Sequence, residues 1–61
     1  MTWQYSGQTG KEWVVTLAKW DGERVEFYVH CKTNKYLSFG AFLAEGDFLQ
    51  WLVDTGAERV G

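Results

Sequence analysis

Glu12-Trp13-Val14-Val15-Thr16-Leu17-Ala18-Lys19-Trp20-Asp21-Gly22-Glu23-Arg24-Val25-Glu26-Phe27-Tyr28-Val29-His30-Cys31 is the stretch that decides the fold. Glu12–Trp20 is rich in Val, Thr and Trp, and Arg24–Cys31 alternates apolar with polar side chains at the period of a half-buried strand. Asp21-Gly22 lies between them, a dipeptide favoured in tight hairpin turns because both residues tolerate positive φ. The segment reads as an antiparallel hairpin.

Its register follows from cross-strand chemistry. A two-residue loop sets Lys19 opposite Arg24, a like-charge pair, whereas a four-residue loop sets Lys19 opposite Glu26 and Trp20 opposite Val25. Both registers leave the same side chains together, and a three-residue loop, which flips one strand and mixes Phe27 with Leu17, is less consistent. The expected core face holds Val14, Thr16, Ala18, Trp20, Val25, Phe27, Val29 and Cys31. The opposite face then holds Trp13, Val15, Leu17, Lys19, Glu26, Tyr28 and His30.

Outward from the hairpin, Thr2–Ser6 reads as a short strand and Ser6–Gly10 as a glycine-framed loop. Lys32–Lys35 reads as a turn, and Tyr36–Ala41 as a further strand. Residues 38–53 allow two readings. In one, a helix starts near Ser38 and buries Phe39, Phe42, Leu43, Gly46, Leu49 and Val53. In the other, the strand runs to about Leu43 and Asp47 caps a shorter helix ending near Thr55. The later start is favoured, since Gly46 inside a helix costs about 1 kcal/mol relative to Ala. Gly56 supplies a left-handed stop in both. The fold class expected is α+β: a small antiparallel sheet of three to four strands built on a central hairpin, packed against one C-terminal helix, in a single domain over residues 1–61.

Length and composition bound what such a domain can do. At 61 residues there is room for one domain, and a chain this short buries only roughly 60% of its unfolded surface. Cys31 and His30 are alone of their kind, which excludes an intrachain disulfide and a Cys/His zinc site. One free cysteine fits a reducing compartment. Met1-Thr2-Trp3-Gln4 carries no basic cluster or apolar run, and no stretch reaches the ~18 apolar residues of a membrane span. A cytoplasmic location without membrane contact is expected. Four Trp, three Tyr and four Phe, 18% of the chain, exclude a disordered segment. Charge is unevenly placed: residues 1–37 are near balance, whereas residues 38–61 set Arg59 against Glu45, Asp47, Asp54 and Glu58.

Catalytic and cofactor motifs are incomplete. Gly7-Gln8-Thr9-Gly10-Lys11 resembles part of a phosphate-binding loop. That motif requires glycine where Tyr5 stands and Ser or Thr where Glu12 stands, and a helix rather than a strand afterwards. His30 and Cys31, as strand neighbours, point to opposite faces and cannot form a base–nucleophile dyad. Asp21/Glu23 and Glu45/Asp47 are acid-x-acid pairs, but two carboxylates make a poor cation site and suit turn and helix-start roles better. No cofactor, metal or enzymatic activity is expected.

Surface chemistry remains. With the helix over the Val14/Phe27 face, the other hairpin face is left with uncovered rings, and the helix has apolar surface to spare. The expected binding residues are Trp13, Val15, Leu17, Tyr28, His30 and Trp51. The function this suggests is a non-enzymatic module that binds another protein and pairs with a second copy of itself, an inhibitor or adaptor of the phage type. The alternative is single-stranded nucleic-acid binding, with the sheet aromatics stacking on bases beside Lys11, Lys19, Arg24, Lys32 and Lys35. The interspersed acids and a pI near 5.1 count against it.

Overall fold

The computed structural model describes residues 1–61. It contains strands β1 (Thr2–Ser6), β2 (Glu12–Trp20), β3 (Arg24–Cys31) and β4 (Ser38–Ala44), helix α1 (Glu45–Thr55) and a short strand β5 (Glu58–Arg59). The five strands form one antiparallel sheet in the order β4-β3-β2-β1-β5, and α1 covers one face. This is the α+β architecture expected, with one more strand. β5 has two residues, too few for periodicity to register.

The four-residue hairpin loop is present, with Trp20 opposite Val25 and Lys19 opposite Glu26. Asp21 closes it: its Oδ1 accepts from the backbone N–H of Glu23 at 2.9 Å and of Arg24 at 2.8 Å. Gly22 takes φ 95°, where a side chain would be strained.

The faces expected for β2 are corrected. Between Leu17 and Lys19 the register shifts at a β-bulge, leaving Ala18 as the extra residue. Below the bulge Trp13 faces Cys31, Val15 faces Val29 and Leu17 faces Phe27. Trp13, Val15 and Leu17 therefore share the helix-covered face with Val25, Phe27, Val29 and Cys31, while Val14 and Thr16 lie on the other side with His30 and Tyr28. The bulge gains the burial of three large side chains for one unpaired alanine, a balance that hydrophobic transfer favours.

β1 completes the packed face. Trp3 pairs with Val15 and Tyr5 with Trp13, so both β1 rings point toward α1. From the helix, Phe48 and Leu52 are buried and Trp51 is half-buried. The rings interlock: Phe48 lies 4.8 Å from Phe27 and 5.5 Å, edge-on, from Trp3, and Trp51 lies 5.2 Å from Phe27 and 5.6 Å, edge-on, from Tyr5. Edge-on and tilted pairs at such distances contribute about 0.5–1.5 kcal/mol each beyond area burial.

The later helix start is the one observed, with two corrections. Ala44 is the N-cap and makes no side-chain cap; Asp47 sits inside the first turn with Glu45, favouring the helix dipole rather than capping it. Of the stripe expected for the earlier start, Leu49 and Val53 face solvent, because Phe48, Trp51 and Leu52 take the inner side. At the other end Gly56 adopts φ 71°. The Ala57 N–H donates to Leu52 O and the Gly56 N–H to Val53 O, the paired bonds of a Schellman stop.

Phe48, touched from both sheet and helix, carries the packing. Phe48→Ala is expected to cost about 3–5 kcal/mol, close to the whole stability of a small domain. Urea titration followed by tryptophan fluorescence should show no cooperative transition in this variant. Val53→Ala, on the exposed side of the same helix, should unfold within about 0.5 kcal/mol of the parent. Equal behaviour of the two variants would contradict the packing described.

Candidate functional site

The six residues expected to bind are divided between the two sheet faces. Trp13, Val15 and Leu17 point into the layer under α1, with Val15 wholly buried, and Trp51 is held among Tyr5, Phe27 and Phe48. Tyr28 and His30 stand on the open face. No single aromatic platform joins them, and the bulge at Ala18 is the reason.

The helix does not close the packed face completely. Beside its first turns lies an apolar groove of about 220 Å³ lined by Met1, Trp3, Leu17, Trp20, Val25, Glu45, Phe48 and Leu49. Val25 and Phe48 are buried at its floor, while Met1, Trp20 and Leu49 remain 58%, 53% and 52% exposed at its rim. Each wall has a local cause. Pairing with Val25 sets Trp20 on the helix side and the bulge brings Leu17 to the same side. A bond from the Leu17 N–H to Met1 O at 3.1 Å holds the chain start along β2, and α1 begins one residue after β4 ends, which sets Leu49 over the gap. Glu45 is the one polar lining residue. Of the expected binding residues, Leu17 alone lines this groove. Met1, Trp20 and Leu49 were missed, although the apolar positions 13, 15, 17 and 20 carry a signal: two steps of two and then one of three, the spacing a bulge produces.

The open face is mixed. Thr2, Gln4, Val14, Thr16, Lys19, Glu26 and His30 share it with Tyr28, whose hydroxyl donates to Glu26 Oε1 at 3.3 Å. Phe42, on β4 beside Glu26, is 65% exposed. Lys32 reaches Glu12 at 3.7 Å, an exposed pair that contributes little.

Gly7–Gly10 is the turn joining β1 to β2, closed by bonds from the Gly7 N–H to Lys11 O and from the Gly10 N–H to Gly7 O. Gly7 is small because the Trp13 indole fills the space where its Cβ would stand, 2.9 Å away. His30 is exposed on the open face, and Cys31 is 1% exposed on the packed one. Cys31 Sγ lies 3.6 Å from Thr33 Oγ1; this hydroxyl and the Thr33 backbone hold the thiol below its ordinary pKa, against the effect of burial. Burial raises the Tyr5 phenol. Backbone N–H groups of Arg24 and Glu23 hold the Asp21 carboxyl below the usual aspartate range.

Comparison with known proteins adds no relative: no family model, curated protein or solved structure matches this chain.

The Asp21 turn makes a pH-dependent contribution. Its carboxyl is held lower in the folded chain than the unfolded value of about 3.9, so the stabilisation is complete above that value and is lost as pH falls through the lower folded one. Urea midpoints measured on stepwise acidification below about pH 5 should fall further for the parent than for Asp21→Asn, whose amide oxygen can still accept both bonds. Parallel pH profiles would show that the turn carboxylate does not carry this dependence.

Proposed function

We propose that this chain is a non-enzymatic protein-binding module, an inhibitor or adaptor that seats an apolar side chain of its partner in the groove between α1 and the end of the β2–β3 hairpin. The observation that carries the reading is the rim of Met1, Trp20 and Leu49, each more than half exposed around a floor of buried Val25 and Phe48. A large side chain entering such a cleft gains apolar burial against its floor and walls, the setting in which interface hot spots form, and Trp is prominent among them. Glu45 at the mouth favours a partner with a cationic or hydrogen-bond-donating group beside its apolar anchor.

The titratable groups support a binding rather than a chemical role. His30 and Cys31 lie on opposite faces, Asp21 is engaged by its own turn, and Glu12 reaches Lys32. The single-stranded nucleic-acid reading loses support from the same geometry. Trp3, Tyr5 and Trp13 are turned under the helix, and the open face keeps Tyr28 and Phe42 beside Glu26.

Affinity selection of a displayed peptide library on the immobilised protein tests the proposal. Selected peptides should share a Phe, Trp or Leu anchor, perturb the NMR signals of Trp20 and Leu49, and bind Leu49→Lys at least tenfold more weakly, as expected on placing a charge in an apolar pocket. Selected peptides that bind Leu49→Lys as well as the parent would overturn the site. Salt-sensitive quenching of tryptophan fluorescence by single-stranded oligonucleotides, with no peptide selected, would replace the function with nucleic-acid binding.

A further inference from the structure

The two edges of the sheet are protected very differently. β5 ends one side with two residues, Glu58 and Arg59, both charged. The other side is β4, whose seven residues Ser38-Phe39-Gly40-Ala41-Phe42-Leu43-Ala44 contain no charge and no proline. Edge strands are usually blunted by shortness, charge, proline or a bulge, because their unpaired backbone groups template another strand. β4 has none of these devices.

The hydrogen-bond phase identifies which groups are free. At the two ends of the β3–β4 ladder the Cys31 N–H donates to Leu37 O at 2.8 Å and the Glu45 N–H donates to Glu23 O at 2.9 Å. Bonded pairs alternate in an antiparallel ladder, so Phe39, Ala41 and Leu43 exchange bonds with Val29, Phe27 and Val25, their register partners. The N–H and C=O groups of Ser38, Gly40, Phe42 and Ala44 therefore point to the bare edge.

We propose that β4 is a homodimer interface, in which the β4 edges of two copies pair antiparallel about Ala41 and join two five-stranded sheets into one. The occupant is a second copy because the strand matches itself in this register. Phe42 falls opposite Gly40 of the copy, which leaves room for its ring, Phe39 falls opposite Leu43 as an apolar pair, and the small Ser38 and Ala44 meet at the ends. On the open face Gly40 lies under the Tyr28 ring, which stands 2.9 Å from where a Cβ would be. The copy's Phe42 arrives beside that ring, bringing together two aromatics that are 50% and 65% exposed in the single chain. The flanks are complementary in charge: Lys35 precedes β4, and Glu45 and Asp47 follow it. Antiparallel pairing sets the basic end of each copy beside the acidic end of the other, twice by symmetry. None of the β4 residues lines the apolar groove, so this pairing stands or falls separately from the function proposed above.

Sedimentation velocity at about 100 µM, where a micromolar self-association is nearly complete, should give twice the 7.1 kDa chain mass. Phe42→Lys should sediment as a monomer with unchanged circular dichroism, and Leu49→Lys, in the groove, should remain dimeric. Ala44→Pro separates backbone pairing from side-chain effects. Ala44 already has φ −59°, within the proline range, and its N–H faces the free edge, so the variant should fold normally yet dimerise at least tenfold more weakly. In Ala41→Cys the two new thiols face each other at a non-bonded pair, where Cβ atoms come closest, and mild oxidation should give a covalent dimer while buried Cys31 stays unreacted. A monomeric parent, a dimer that survives both Phe42→Lys and Ala44→Pro, or a dimer that Ala41→Cys fails to cross-link would overturn the pairing.

Discussion

The extra residue at Ala18 is the constraint on which the rest of this structure depends. Strand side chains alternate without exception unless a bulge intervenes, and an unbulged β2 in the observed hairpin register would put Trp13, Val15 and Leu17 on the face away from α1. With the bulge, Trp13, Val15 and Leu17 point toward the helix and pack with Phe27, Phe48 and Trp51 there. A domain with no disulfide to stiffen it needs that concentration of large side chains on one layer, because its core must supply nearly all its stability.

The same residue shapes the surface. Trp20, opposite Val25 on the turn side of the bulge, faces the helix side with Leu17, and there it forms one wall of the groove instead of filling the core. The open face carries mostly hydroxyl, amide and charged side chains, with Val14 and Phe42 as its apolar members beside Tyr28 and Glu26. Grouped apolar surface includes the groove beside the first turns of α1 and the β4 edge with Phe39 and Phe42. One offers a concave pocket for a side chain, the other a row of backbone donors and acceptors for a strand. They call for occupants of different chemistry.

Much of the architecture was legible in the sequence. The bounds of β1, β2 and β3 follow from glycine-bearing turns and alternation, and the pairing of Lys19 with Glu26 selects the loop length correctly. Gly56 marks the end of α1 because only glycine takes its left-handed φ without strain. What failed was local. A bulge leaves almost no compositional trace, so the register near the turn was carried to the whole hairpin and the faces came out reversed below Leu17. That one error misplaced Trp13, Val15 and Leu17 in the expected binding set. Trp20 lies on the face expected for it and is absent from that set because it counts there as core, whereas it is half exposed. The inner face of α1 was uncertain for a different reason, since Phe48, Leu49, Trp51, Leu52 and Val53 are all apolar and only packing against Trp3 and Phe27 chooses among them.

The phase of the hairpin below the bulge can be read directly from nuclear Overhauser contacts between β2 and β3. The bond from the Lys32 N–H to Glu12 O makes Trp13/Cys31, Val15/Val29 and Leu17/Phe27 the non-bonded pairs, whose α-protons approach most closely. The bulged structure predicts strong α-proton contacts between Val15 and Val29 and between Leu17 and Phe27. Contacts instead between Thr16 and Val29, or between Ala18 and Phe27, would place Trp13, Val15 and Leu17 on the open face and contradict the account.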